Sequence, residues 1–113
     1  MAKLPTLKLT PLPNTITLTI GNEAEKLGLQ TPPNHIDGRA LKDENGNLCL
    51  WLNAGITTTP WPIAAGVIAH EAVHLVDYAF EHIGESSRTD EVRAYYVEHI
   101  TTWAATEVDK RRP

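Results

Sequence analysis

From Ile63 to Ile83 the chain runs without a proline, between Pro62 and Gly84. Most positions in the run are apolar, and at about 1.5 Å per residue it predicts roughly 30 Å of continuous α-helix. Thr57-Thr58-Thr59-Pro60-Trp61-Pro62 supplies N-cap hydroxyls and first-turn prolines ahead of it, and Gly84 is a natural terminator. A chain of 113 residues builds one compact core. The remaining segments must therefore pack around this helix, so residues 1–113 read as a single domain.

Those segments divide in two. After the polar connection 85–89, Thr89 or Asp90 caps a second helix reaching about Lys110, with Val92, Tyr96, Ile100, Trp103 and Val108 as its inner face. Ahead of the first helix the chain is rich in proline, threonine and asparagine. Thr15 to Ile20 alternates polar and apolar residues, the period of a strand buried on one face. Leu4 to Leu9 is a second short strand that Pro5 confines to an edge. A helical turn is expected around Ala24 to Leu27, and residues 32–34 form a loop. Gly38–Lys42 and Asn47–Asn53 flank Asp43-Glu44-Asn45-Gly46, a hairpin signal in which both residues of Asn-Gly tolerate positive φ. The expected class is α+β: a small N-terminal antiparallel or mixed β-sheet followed by two packed α-helices.

Composition narrows the function. With 42% apolar and 21% charged residues the chain supports one modest core rather than disorder. A net charge of −4 argues against nucleic acid as a partner, and Lys110, Arg111 and Arg112 read as a solvated helix end. The single cysteine, Cys49, excludes a disulfide framework or a cysteine-rich zinc finger and reads as a strand packing residue. No run approaches the ~18 apolar residues of a membrane span, and no apolar signal segment follows Met1. The expectation is a small, reduced, cytoplasmic protein with no membrane partner.

The chemistry sits in His70-Glu71-Ala72-Val73-His74. Histidines four residues apart lie about 40° apart around a helix, so both imidazoles reach one ion, with Glu71 at the edge of that face. Asp77 and Glu81 share the stripe. Because most other positions of the helix are apolar, the stripe is expected to be buried and to need a metal or partners; the alternative is a stripe that faces solvent. A catalytic zinc takes three protein ligands and keeps one open position. Asp90 and Glu91 can both supply the third, since the connection is long enough to bring the chain back level with His74. Glu91 is preferred because Ala94 leaves room for close helix packing, whereas Asp90 has an ordinary role as N-cap. Asp77 is a rival, better suited to orienting an imidazole. Tyr78, His82, Arg93, Tyr95 and Tyr96 are candidate oxyanion donors, and Tyr95, one turn after Glu91, is preferred. His35 and His99 read as ordinary polar residues, and Trp51, Trp61 and Trp103 as core or groove wall.

Residues 70–74, followed by Asp90-Glu91-Val92-Arg93-Ala94-Tyr95, resemble the zincin metallopeptidases, specifically the small gluzincin-like branch that includes ImmA/IrrE-type peptidases and short phage-encoded metallopeptidase-like proteins. The resemblance covers roughly residues 70–100. It implies His70, His74 and Glu91 as zinc ligands, Glu71 as general base, and a peptide or protein substrate. It also implies that an extended peptide pairs along the strand Leu48–Asn53 as an edge. Tyr95 stands where larger gluzincins carry an aspartate behind the ligand glutamate. The implied activity is peptide-bond hydrolysis by a metal-activated water. The alternatives are a catalytically inactive zinc-stabilised binding or assembly protein, and a structural domain whose stripe faces water.

Overall fold

A computed structural model of the chain describes residues 3–43, 45–82 and 90–113. Its elements are β1 (Thr6–Lys8), β2 (Thr15–Ile20), a 3₁₀ helix (Gly21–Leu27), β3 (Gly38–Lys42), β4 (Leu48–Leu52), a second 3₁₀ helix (Ala54–Thr58), α1 (Trp61–His82) and α2 (Asp90–Lys110). The α+β expectation therefore holds, with a mixed sheet followed by two packed helices. The expected terminator Gly84 and the connection 85–89 lie outside the described residues.

The strand order is β1-β2-β4-β3. β1 is antiparallel to β2, and β3 to β4, while β2 and β4 are parallel with Ile16 opposite Leu48 and Ile20 opposite Leu52. The hairpin thus docks on β2 through its second strand. This corrects the expected edge: β4 is hydrogen-bonded on both sides and all five of its residues are buried, so it has no free backbone to offer a peptide. β3 is the edge on that side.

Alternation along β2 and β4 explains the layers. Ile16, Leu18, Ile20, Leu48, Leu50 and Leu52 join the helices in the core. On the other face Thr19 bonds to the Cys49 thiol at 3.4 Å, and the Trp51 indole donates to the Gly21 carbonyl at 2.7 Å. Burial pushes the Cys49 thiol above its ordinary range, against the opposing effect of the Thr19 bond, so it remains a neutral packing group. The expected turn at Ala24 is the middle of the first 3₁₀ helix, whose end is marked by Gly28 at φ 74°.

The hairpin turn differs from the Asn-Gly expectation in one respect. Among the described residues only glycines have positive φ, so Gly46 (φ 81°) takes that conformation and Asn45 does not. Asp43 replaces the tighter turn: its carboxylate accepts from the backbone N–H groups of Asn45 and Asn47, both at 2.9 Å. Buried Asn14 then donates to the Gly46 carbonyl at 2.7 Å, tying the turn to the start of β2.

α1 begins at Trp61, with Pro62 in its first turn as expected. The threonines before it do not cap it. Thr57, Thr58 and Thr59 donate to the carbonyls of Ala54 and Gly55, because the second 3₁₀ helix intervenes and its own carbonyls need donors. On length and composition α1 is also apolar enough to cross a membrane. Here Ala64, Ile68, Ala72, Leu75 and Ala79 pack in the core with the sheet, and Phe80 meets Tyr96 of α2 edge-on at 5.9 Å.

α2 buries Ile100, Ala104 and Val108, close to the expected inner face. The basic tail is not a solvated end. Arg111 bonds to Glu23 at 2.8 Å, and Arg112 lies 4.0 Å over the Trp61 ring while donating to the carbonyls of Ile56 and Thr59. A planar guanidinium can stack and donate at once, and this clamp fastens the end of α2 to the start of α1. The two helices therefore run antiparallel.

Candidate functional site

α1 has the sheet along one flank and α2 along another, which leaves a third open. The stripe of ionisable residues lies there. This overturns the expectation of a buried stripe: His70 and His74 are exposed, and only Glu71, 8% exposed, is buried. Two neighbouring layers cover most apolar positions of α1, Ile63 and Val73 excepted, and its polar stripe faces away from both.

The helix nevertheless assembles the motif as its spacing requires. The imidazoles of His70 and His74 stand 5.0 Å apart, centroid to centroid, at 70°. The carboxylate of Glu71 comes within 4.0 Å of His70 Nε2. On the sheet side α1 approaches β3 closely because Gly38 has no side chain. A Cβ there would stand 3.1 Å from Glu71 Cγ and 3.0 Å from Val67 Cγ1. Gly38 thus lets Glu71 lie directly against the edge strand.

Two shallow crevices border this pair between α1 and β3. One, of about 400 Å³, is lined by His35, Asp37, Gly38, Gly66, His70 and Glu71 among others. The next, of about 360 Å³, includes Gly38, Arg39, Ala40, Glu71, His74 and Tyr78. They share Ile36, Gly38 and Glu71, so the two crevices adjoin between α1 and β3, one beside His70 and the other beside His74. A third crevice, of about 280 Å³, continues the second beyond Tyr78 to Lys42, Glu81 and His82. The Lys42 ammonium sits 4.7 Å from the Tyr78 ring centroid and 3.5 Å from Glu81; that ion pair is exposed and contributes little to stability.

The loop beside the first crevice was not expected to matter. Asn53 holds it: its side chain donates to the carbonyls of Asn34 (2.9 Å) and Ile36 (3.0 Å), and its N–H to that of Asp37 (2.9 Å). His35 and Asp37 thereby line the same crevice as His70. No sequence spacing could reveal this, because the contact joins loop 34–37 to the end of a strand that follows it.

The other candidates stand elsewhere. Asp77 forms an ion pair with Arg93 of α2, so its partner is a guanidinium rather than an imidazole. Asp90 and Glu91 are exposed in the first turn of α2. Since Arg93 lies beside Asp77 and Phe80 and the helices are antiparallel, Glu91 is level with the end of α1, roughly two turns beyond His74. Tyr95 is 64% exposed and lines neither crevice beside the histidines, whereas Tyr78 lines one of them. Among the described residues no three His, Cys, Asp or Glu side chains converge to hold a metal ion. The imidazole pair therefore fits two positions of a zinc sphere, and a third protein ligand is not assembled beside it.

No protein-family model, curated protein or solved structure matches the chain.

Proposed function

We propose that the chain is a zinc-dependent peptidase that hydrolyses extended peptides laid along β3, with His70 and His74 as metal ligands and Glu91, roughly two turns beyond them, outside the set. The observation that carries this reading is the buried carboxylate of Glu71, beside exposed His70 and shared by the two crevices next to the open sheet edge. Bound zinc would supply Lewis-acid polarisation of the scissile carbonyl and acidify water. The backbone of β3 pairs with the peptide as an added strand, which moves the role expected of residues 48–53 to residues 38–42. Glu71 accepts the proton of the attacking water and returns it to the departing amine. Tyr78, which lines the crevice beside His74, takes the oxyanion-donor role in place of Tyr95.

Purified chain is expected to carry zinc, lost on His74→Ala. Glu71→Gln should keep the zinc and abolish cleavage of a peptide library. Wild type that binds zinc and cuts no peptide would sink the catalytic reading. It would leave the alternative, a zinc-stabilised binding protein, which the missing third ligand among the described residues favours.

A further inference from the structure

We propose that zinc also joins two copies of this chain, His70 and His74 of each copy together forming a closed four-imidazole site on a two-fold axis. The inference uses the two ligands of the proposed function and differs from it in the number of chains per ion.

The argument begins with the ligand count. Two imidazoles 5.0 Å apart on one helix face are half of a tetrahedral nitrogen set. Among the described residues no further His, Cys, Asp or Glu joins them. Neither ring is enclosed, and the His70 side chain is 69% exposed. An isologous pair of helices supplies the missing half with the same residues, so nothing new is needed from either copy.

The surface around the pair suits a second helix. Taking His70 as origin, Ile63 lies about 20° to one side and Val73 about 60° to the other around α1, and these are two of the few large apolar side chains left exposed among the described residues, at 59% and 46%. Gly66, on the same stripe, has nothing within 4 Å of where a Cβ would stand, so another backbone can approach there. Farther along the stripe, Asp77 and Glu81 are already paired with Arg93 and Lys42. Four imidazoles leave no open coordination position. The linked dimer is therefore a resting form that cannot activate water, and the peptidase activity belongs to the single chain.

Sedimentation of the full chain, stripped with a chelator and titrated with zinc sulfate, tests this. The mass should double, reaching completion at about half an equivalent of zinc per chain, and chelator should reverse it. Cobalt(II) in place of zinc should give the intense visible bands of a tetrahedral ion. His70→Ala and His74→Ala should each stay monomeric with unchanged circular dichroism, since both side chains are exposed, whereas Glu91→Ala should dimerise like wild type. A chain that stays monomeric while binding about one zinc overturns the dimer and leaves the peptidase reading standing. A chain that binds no zinc overturns both. Dimers that form without zinc, or that survive loss of the histidines, overturn the metal link.

Discussion

Replacing Gly38 by alanine probes the contact that brings α1 to the edge strand. The new Cβ would stand 3.0 Å from Val67 Cγ1, 3.1 Å from Glu71 Cγ and 3.3 Å from Leu52 Cδ2. None of these is the free end of a flexible side chain: Leu52 is core, and Glu71 is gripped at mid-chain. Overpacking of this kind costs about 1–3 kcal/mol, while the stiffer unfolded chain returns about 0.4–1 kcal/mol, leaving a net loss of roughly 1–2 kcal/mol. With an unfolding entropy of about 2.1 cal/mol/K per residue over 113 residues, that is a fall in Tm of about 4–8 °C. Gly66→Ala is the matched control, because it lies within α1 and its Cβ would meet nothing within 4 Å. It should raise Tm by about 2–4 °C through helix propensity alone. Both variants are measured by thermal melts followed by circular dichroism. A Gly38→Ala protein melting at or above wild type would refute the packing argument, and with it the claim that Gly38 positions Glu71.

Two further outcomes follow from the polar contacts. Arg112→Ala should destabilise by about 1–3 kcal/mol in a denaturant titration, because it removes the cation stacked on Trp61 and the donor of two carbonyls; an unchanged midpoint would show that the clamp is ornamental. Burial alone would raise the Glu23 pKa, but the bonds from Arg111 and from the Ile20 N–H outweigh it and hold the carboxyl below its ordinary 4.5. The unfolded chain therefore takes up this proton first as the solution is acidified. The stabilisation is complete above 4.5 and disappears as pH falls through the folded value. The stability gap between wild type and Glu23→Gln should accordingly narrow as the pH falls from about 4.5 through the folded value, and a gap that stays constant would contradict the assignment.

Local patterns carried most of the fold. Thr15 to Ile20 became a strand because its alternation permits one apolar face. The run after Pro62 became a helix because nothing in it interrupts the backbone ladder. Gly46 closed the hairpin because a left-handed residue was needed there. The face shared by His70 and His74 is equally local, since four residues of helix bring any two side chains to one side. What surrounds that face is not local. Three-dimensional packing put β4 inside the sheet and β3 at its edge, because a parallel pairing between β2 and β4 joins strands separated by more than twenty-five residues. The same packing left the histidine stripe open, carried loop 34–37 to it through Asn53, and set Glu91 level with the far end of α1. Periodicity reports which side chains share a surface. Which neighbour that surface meets is decided by how the layers close over one another.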